Sequence, residues 1–224
     1  MLALVLAALI WIGLHLGIAG TSARAALVSR LGESGFRATF SLASAIAITL
    51  LILAWRGAPG ALLWVPPRPL GWALVPVMLL AFILFAGSLM ARNPTAVGQG
   101  EALSAEPQGM LRITRHPMLW AFALWAAVHV VGNGDSAGLV FFGAFLLTAL
   151  LGMPSIDAKV AARDPAAWAG FAARTSILPF GAVVAGRNRL VWRELAAPAL
   201  VGTLAWAAVL HFHPLAFGVP ALPP

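Results

Sequence analysis

Histidine is the side chain of this sequence best suited to hold a metal or to move a proton. Cysteine is absent, which excludes thiolate ligands, iron–sulfur clusters and disulfides. Neutral imidazole is a common metal ligand, and histidine is a standard ligand of haem iron. Three of the histidines fall within apolar runs or close to their ends, where an ionisable residue generally marks a functional site. The full set is His15, His116, His129, His211 and His213.

The stretch RITRHPMLWAFALWAAVH carries two of these histidines. Pro117 suits the first position of a helix, which places His116 near the N-cap, beside Arg112 and Arg115. Such a basic helix entrance can bind an anion, for example a cofactor carboxylate, and it can equally serve as a cap or contact a lipid phosphate. The sequence separation of His116 and His129 places them about 140° apart around an ideal helix. At most one of the two is therefore expected to ligate a given metal.

His15 lies among glycines in the stretch WIGLHLGIAG. Gly13 and Gly17 have the G-x-x-x-G spacing that lets another backbone or a flat ligand come close. The structural alternative is a helix contact in which His15 bonds a neighbouring carbonyl. The sequence alone leaves both interpretations open.

Depth in a membrane offers a second criterion for pairing the histidines. At a rise of about 1.5 Å per residue, His15 and His129 are predicted about 11 Å apart in depth, which would suit two helices holding a tilted haem. His211 is expected at a depth close to that of His129, so it is a second possible partner. His211 and His213 could instead form a solvated helix end.

Apolar segments must position these side chains, because 61% of the 224 residues are hydrophobic and 9% are charged. Soluble domains carry about 25% charged residues. A helix needs about 20 apolar residues to cross the hydrocarbon core. The sequence predicts an all-α, polytopic membrane helix bundle of about six transmembrane helices, forming a single domain over 1–224. The predicted spans are 2–20, 38–55, 70–91, 117–132, 137–154 and, more weakly because of Pro198, 195–213.

Basic residues concentrate in alternate loops. Segments 21–37, 92–115 and 155–193 hold twelve Lys and Arg, against two in the remaining loops. The positive-inside rule then predicts cytoplasmic basic loops and both termini outside. The first run lacks a basic region before it, so we expect a span there, although TSARA would permit signal-peptide cleavage. The net charge of +7 indicates contact with anionic lipid, and nucleic-acid binding is not expected since no soluble segment is long enough.

Two local motifs predict how the spans are connected. The sequence GNGD at 132–135 has turn chemistry and predicts a tight hairpin between the fourth and fifth spans. Asp164 followed by Pro165 predicts the capped start of a short interfacial helix.

The order of these motifs resembles the NnrU family of bacterial membrane proteins over nearly the full length. The matching blocks are WIGLHLGIAGTSAR at 11–24, LVSRLGESGFRATFSLAS at 27–44, GMLRITRHPMLWAFALWAAVHVVGNGD at 109–135, IDAKVAARDPAAWAGFAARTSILPF at 156–180 and WRELAAPALVGTLAWAAVLHFHPLAFGVP at 192–220. The resemblance implies a bacterial inner-membrane protein linked to nitric oxide and denitrification metabolism. It also implies kinship with the zeta-carotene isomerases, which are membrane enzymes with haem b.

That kinship carries a ligand set. In the isomerases two histidines are implicated as haem ligands, one in the first conserved helix and one beyond the R-H-P motif. They correspond to His15 and His129 here. The resemblance thus implies haem b on these two residues. Arg112, Arg115 and His116 are then candidates to bind haem propionates or lipid headgroups.

Two departures restrict the family inference. The isomerases have a cysteine where this chain has Ala126, so a thiolate ligand switch is excluded. The R-H-P motif with a later W-x-x-F and LPF also resembles isoprenylcysteine and phospholipid methyltransferases. Those enzymes usually carry a Glu-Glu pair in the next loop, where this chain has only Asp157 and Lys159. Transfer from S-adenosylmethionine is therefore the less favoured interpretation.

Three functions remain at this stage. The first is a haem b protein that handles nitric oxide or acts on a lipophilic substrate, with Trp11, Phe122 and Trp125 packed around the porphyrin. The second is a haem-dependent cis–trans isomerase of a carotenoid-like polyene. The third is a non-catalytic accessory factor of a respiratory complex, with histidines that are only structural.

Overall fold

The computed structural model describes residues 1–91, 93–95 and 103–223. Within these ranges the regular structure is helical, apart from an isolated bridge between Leu62 and Asp135. Part of the predicted basic loop 92–115, including Arg92, lies outside the described residues. The helices are α1 (Leu2–Ile12), a π-helical segment (Gly13–Ile18, the π-turn), α2 (Ser22–Arg56), α3 (Arg68–Met90), a 3₁₀ turn (Gly109–Arg112), α4 (Pro117–Asn133), α5 (Ser136–Arg163), α6 (Pro165–Arg174), α7 (Gly181–Val184) and α8 (Trp192–Phe217).

Each predicted span overlaps a helix. Within the described ranges, α2, α3, α5 and α8 are long and apolar enough to cross a membrane. The segment Leu2–Ile18 and α4 are shorter apolar helices. The prediction of an all-α membrane protein is thus confirmed, whereas the number of six spans and the orientation of the termini stay predictions.

Helix α2 begins much earlier than the apolar run near residue 38. Thr21 caps it by accepting a hydrogen bond from the Ala23 amide at 3.2 Å. Gly32 interrupts the helix with φ 71° and ψ 166°, a conformation that is far easier for glycine than for other residues. Beyond this break, Glu33 pairs with Arg24 at 2.7 Å and with Arg37 at 3.0 Å. The charged segment predicted as a loop is therefore helical on both sides of Gly32.

The two predicted local motifs are confirmed. Gly134 takes φ +65° between α4 and α5, and its carbonyl accepts from the Leu63 and Trp64 amides at 2.8 and 3.0 Å. Asp164 caps α6 by accepting from the Ala167 amide at 3.0 Å, with proline in the first turn.

The chain divides into two compact units. The first unit comprises 1–66 and 126–155, and the second comprises 67–125 and 156–224. Buried side chains of the first unit include Leu4, Leu51 and Phe141. The second unit has one apolar cluster around Leu84 and Met110 and another around Phe171. The predicted single domain over 1–224 remains a prediction.

Close packing of α3 and α8 depends on a glycine. A Cβ placed on Gly202 would lie 2.6 Å from the Cα of Ile83 and 2.9 Å from the carbonyl oxygen of Phe82. Backbones meet this closely only where a small residue allows it. The contact therefore fixes the separation of the two helices.

Gly202→Ala is expected to destabilise the protein by about 1–3 kcal/mol, because the methyl group would meet backbone that cannot move aside. Thermal unfolding in detergent measures the change. The matched control is Gly170→Ala on α6, where an added Cβ meets nothing within 4 Å. A Gly202→Ala variant that unfolds at the same temperature as the wild type would contradict the argument.

Candidate functional site

His15 lies within the π-turn that comes after α1. Its Nδ1–H donates to the backbone carbonyl of Trp11, with 2.9 Å between the heavy atoms. A carbonyl can only accept, so this bond fixes the tautomer and leaves the lone pair on Nε2. Metal-ligating histidines generally donate their other ring N–H in this way. Single π-helical turns are also frequent at functional sites. The predicted bond of His15 to a neighbouring carbonyl is therefore present at Nδ1. It leaves Nε2 oriented as in a metal-ligating histidine.

Unsatisfied polar groups lie in the same unit as His15. The Trp11 ring contacts the imidazole at 4.0 Å between centroids, and Phe40 contacts it edge-on at 5.4 Å. The Trp11 Nε1 and the Ser44 Oγ are buried, and no hydrogen-bond partner exists for them among the described residues. Leaving such a group unpaired costs about 1–3 kcal/mol. The Trp11 indole N–H lies beside the His15 ring and has no partner among the described residues. It is therefore available to donate to a further group bound here.

Gly13 and Gly17, two residues before and after His15, leave one face of the π-turn without side chains. A Cβ added to Gly13 or Gly17 would meet nothing within 4 Å. The sequence predicts that another backbone or a flat ligand could approach the face formed by Gly13 and Gly17, and this face is open. A flat ligand could reach the helix backbone there without displacing a side chain.

His129 lies on α4, half-buried, in the first unit. Its ring stacks on Phe142 of α5 at 4.5 Å, with 19° between the planes. Trp55 of α2 contacts the same phenylalanine edge-on at 5.6 Å and stacks on Phe141 at 4.5 Å. The second predicted ligand is therefore held in an aromatic wall contributed by three helices.

A chain of ring contacts joins the two predicted ligands. The centroid distances are 4.0 Å for His15–Trp11, 4.9 Å for Trp11–Phe145, 5.3 Å for Phe145–Phe141, 4.9 Å for Phe141–Phe142 and 4.5 Å for Phe142–His129. The structure thus places His15 and His129 in one aromatic region of the first unit, at opposite ends of this chain. In the part of the chain that the structure describes, no group of three or more His, Asp or Glu could hold a metal ion. Haem would not require such a group, because histidine side chains would hold its iron.

His116 and Arg115 belong to the second unit, where both contact Asp157. His116 is only 2% exposed, and its Nε2–H donates to Asp157 Oδ1 at 2.8 Å. Arg115 donates from Nε and Nη2 to Asp157 Oδ2 at 2.8 and 2.6 Å. One carboxylate thus satisfies a buried imidazole and an arginine together. The sequence analysis did not find this partner, although Asp157 is one of only seven acidic residues.

Arg112 has a carboxylate of its own in the second unit. It donates from Nε and Nη2 to the two oxygens of Glu194 at 2.8 and 3.1 Å, and from Nη1 to Asn188 at 3.0 Å. Hydrogen bonding to Glu194 raises the pKa of Arg112 above its ordinary value, so the guanidinium stays charged. The propionate or headgroup role of Arg112, Arg115 and His116 stays a prediction, and all three already engage carboxylates.

The last two histidines lie at the end of α8. His211 is exposed, and its ring contacts that of the neighbouring Phe212 at 4.8 Å between centroids. His213 donates from Nδ1 to the Val219 carbonyl at 2.8 Å, which closes the turn after the helix. These contacts suit a helix end more than a ligand pair.

Comparison with known proteins adds two findings. The family described as NnrU protein matches residues 3–221. The 15-cis-zeta-carotene isomerase, chloroplastic, of Zea mays is 30% identical over 82 residues. That alignment covers 37% of this chain and 22% of the maize protein, so the chain spans under a quarter of that relative's length. No solved structure matches the chain.

Proposed function

We propose, because the chain belongs to the NnrU protein family, that it is an integral membrane protein that binds haem b through His15 and His129. The observation that carries the proposal is the hydrogen bond of His15 Nδ1 to the Trp11 carbonyl, which leaves Nε2 to ligate. Both histidines are half-buried in the first unit, within one chain of aromatic contacts.

The residues fit a porphyrin in their chemistry. His15 and His129 would hold the haem iron, since histidine is a standard haem ligand, and the aromatic side chains around them offer an apolar surface. The orphaned Trp11 Nε1 supplies an unused donor beside His15. When bound, the haem would supply an iron able to change oxidation state and to bind nitric oxide. The protein would hold it, keep water away and set the polarity of its surroundings.

We further propose that all six apolar helices cross the bacterial inner membrane, with both termini outside. The segment Leu2–Ile18 and α4 have 17 residues each, which at about 1.5 Å per residue approach the hydrocarbon thickness of about 30 Å. The uneven distribution of Lys and Arg among the loops supports the orientation.

The physiological role we favour is in nitric oxide and denitrification metabolism. A second candidate is cis–trans isomerisation of a carotenoid-like polyene, which the similarity to the maize isomerase favours. Ala126 lies 0% exposed where the resemblance to the isomerases calls for a cysteine, so any such activity would proceed without a thiolate. A non-catalytic accessory role is the remaining alternative.

Haem binding is tested by the optical spectrum of the full chain, purified in detergent from cells supplied with haem precursor. We expect a Soret band, a pyridine haemochrome typical of haem b and close to one haem per chain. A protein that stays colourless after loading with haemin would contradict the haem proposal, and the accessory role would then be favoured.

Isomerase activity is tested by expression in a carotenoid-producing host that lacks zeta-carotene isomerase. Restored formation of downstream carotenoids, measured by chromatography, would support the second candidate. An unchanged carotenoid profile, with the haem-loaded protein present in the membrane, would rule it out.

A further inference from the structure

An open pocket of about 290 Å³ lies in the second unit and has no histidine in its lining. We call it the arginine pocket. Three cations and one acid are among its lining residues, so its charge favours an anion. The lining consists of Glu106, Arg112, Gly186, Arg187, Asn188 and Arg189.

Asn188 holds one wall of the arginine pocket in place. Its Oδ1 accepts from Arg112 Nη1 at 3.0 Å and from the Arg189 amide at 2.7 Å. Its Nδ2 donates to the Arg174 carbonyl at 2.8 Å. Arg112 donates to Asn188 and to both oxygens of Glu194, so that carboxylate balances its charge and Arg112 serves to fix Asn188 in place.

Arg187 is fixed by one end of its guanidinium. Its Nη1 donates to the carbonyls of Ala172, Ala173 and Thr175 at 3.2, 2.7 and 3.1 Å, which satisfies the C-terminal end of α6. Among the described residues, its Nε and Nη2 make no hydrogen bond. The backbone thus orients the Arg187 guanidinium through Nη1. Its unused Nε and Nη2 donors are available to bind an oxyanion.

Arg189 supplies the second set of unused donors. Its side chain is exposed, and its guanidinium makes no hydrogen bond in the described part of the chain. Gly186, at φ +68°, shapes the turn that brings Arg187 and Arg189 to one pocket. Two arginines with unused N–H groups match the geometry of a phosphate group.

Exposed apolar side chains flank the arginine pocket in the sequence. Val184 is 85% exposed and Trp192 is 73% exposed, on either side of Arg187 and Arg189. Tryptophan at the start of an apolar helix such as α8 is typical of the membrane–water interface. Arg187 and Arg189 thus lie between an exposed apolar residue and the start of an apolar helix in the sequence.

We propose that the arginine pocket binds the phosphate of an anionic phospholipid headgroup. Arg187 and Arg189 donate to the phosphate oxygens, Arg112 holds Asn188 in the pocket wall, and the neighbouring Val184 and Trp192 lie against the acyl chains. The proposal does not depend on haem, since none of these residues belongs to the first unit.

The test titrates the full chain in a non-ionic detergent with short-chain phosphatidylglycerol, and native mass spectrometry counts the bound lipid. Phosphatidylcholine and inorganic phosphate serve as parallel probes. We expect phosphatidylglycerol to bind more tightly than either, and Arg189→Gln to weaken it about fivefold. Arg187→Gln should weaken it at least as much, with thermal unfolding recorded to separate binding from stability.

The matched control is Arg163→Gln at the end of α5, which removes the same charge outside the pocket. Its affinity for phosphatidylglycerol should stay within about twofold of the wild type. The proposal is overturned if Arg189→Gln and Arg187→Gln both bind the lipid as the wild type does, or if Arg163→Gln weakens it equally. If inorganic phosphate binds as tightly as phosphatidylglycerol, the pocket is a site for free phosphate, and the proposal that it binds a phospholipid is overturned.

Discussion

His15→Ala is expected to remove haem from the purified protein. The substitution deletes one of the two proposed iron ligands together with the hydrogen bond that orients it. Changes to the residues that merely orient a ligating histidine lower affinity about 10–100-fold, so losing the ligand itself should cost at least about 100-fold. A titration with haemin, followed by Soret absorbance per chain, measures the loss.

The controls for this prediction come from the other histidines. His129→Ala should lower haem affinity to a similar degree, whereas His211→Ala, at an exposed helix end, should bind haem as the wild type does. All variants should be monodisperse in detergent, so that haem loss is not confused with misfolding. A Soret band that persists unchanged in His15→Ala but vanishes in His211→Ala would show the ligand assignment to be wrong.

Asp157→Ala is expected to lower the free energy of unfolding by about 3–5 kcal/mol, the largest stability loss we predict. The change leaves the Arg115 guanidinium and the His116 imidazole without their shared acceptor. The side chains of these three residues are only 12%, 1% and 11% exposed for Arg115, His116 and Asp157, so water replaces the lost bonds poorly. Chemical unfolding in detergent, followed by tryptophan fluorescence, measures the loss.

An exposed carboxylate offers a matched control. Glu33 also bridges two arginines, Arg24 and Arg37, but its side chain is 42% exposed. Glu33→Ala should therefore cost no more than about 1 kcal/mol, because exposed ion pairs contribute little. Equal losses in Asp157→Ala and Glu33→Ala would mean that burial of the Asp157 cluster adds nothing.

Sequence patterns predicted the elements that depend on local chemistry. A helix over 137–154 was expected from apolar composition, and α5 begins at Ser136. Pro117 opens α4, and Asp164 caps α6, as the capping preferences of these residue types indicate. Such features need only neighbouring residues, so a single sequence is sufficient.

Features that depend on distant partners were missed. Helix α5 continues to Arg163, which carries Asp157 to His116 although 41 positions separate them in the chain. The sequence around His116 and around Asp157 contains no pattern that predicts their contact. The ligand pairing of His15 with His129 came from family resemblance, since depth alone left His211 open. The structure adds the π-turn, which has the same apolar composition as an ordinary helix.

The π-turn also sets the rotational phase of the first helix. An α-helix advances about 100° per residue, and a π-helical turn accommodates one extra residue in that progression. Converting the π-turn into regular α-helix at constant length would therefore rotate Leu2–Ile12 by about 100° relative to the residues after Ile18. Leu4, Ala7 and Ala8, now buried, would then turn toward lipid. Deleting one residue between 13 and 18 would instead restore the α-helical repeat and leave these three residues buried, because the π-turn absorbs the extra residue.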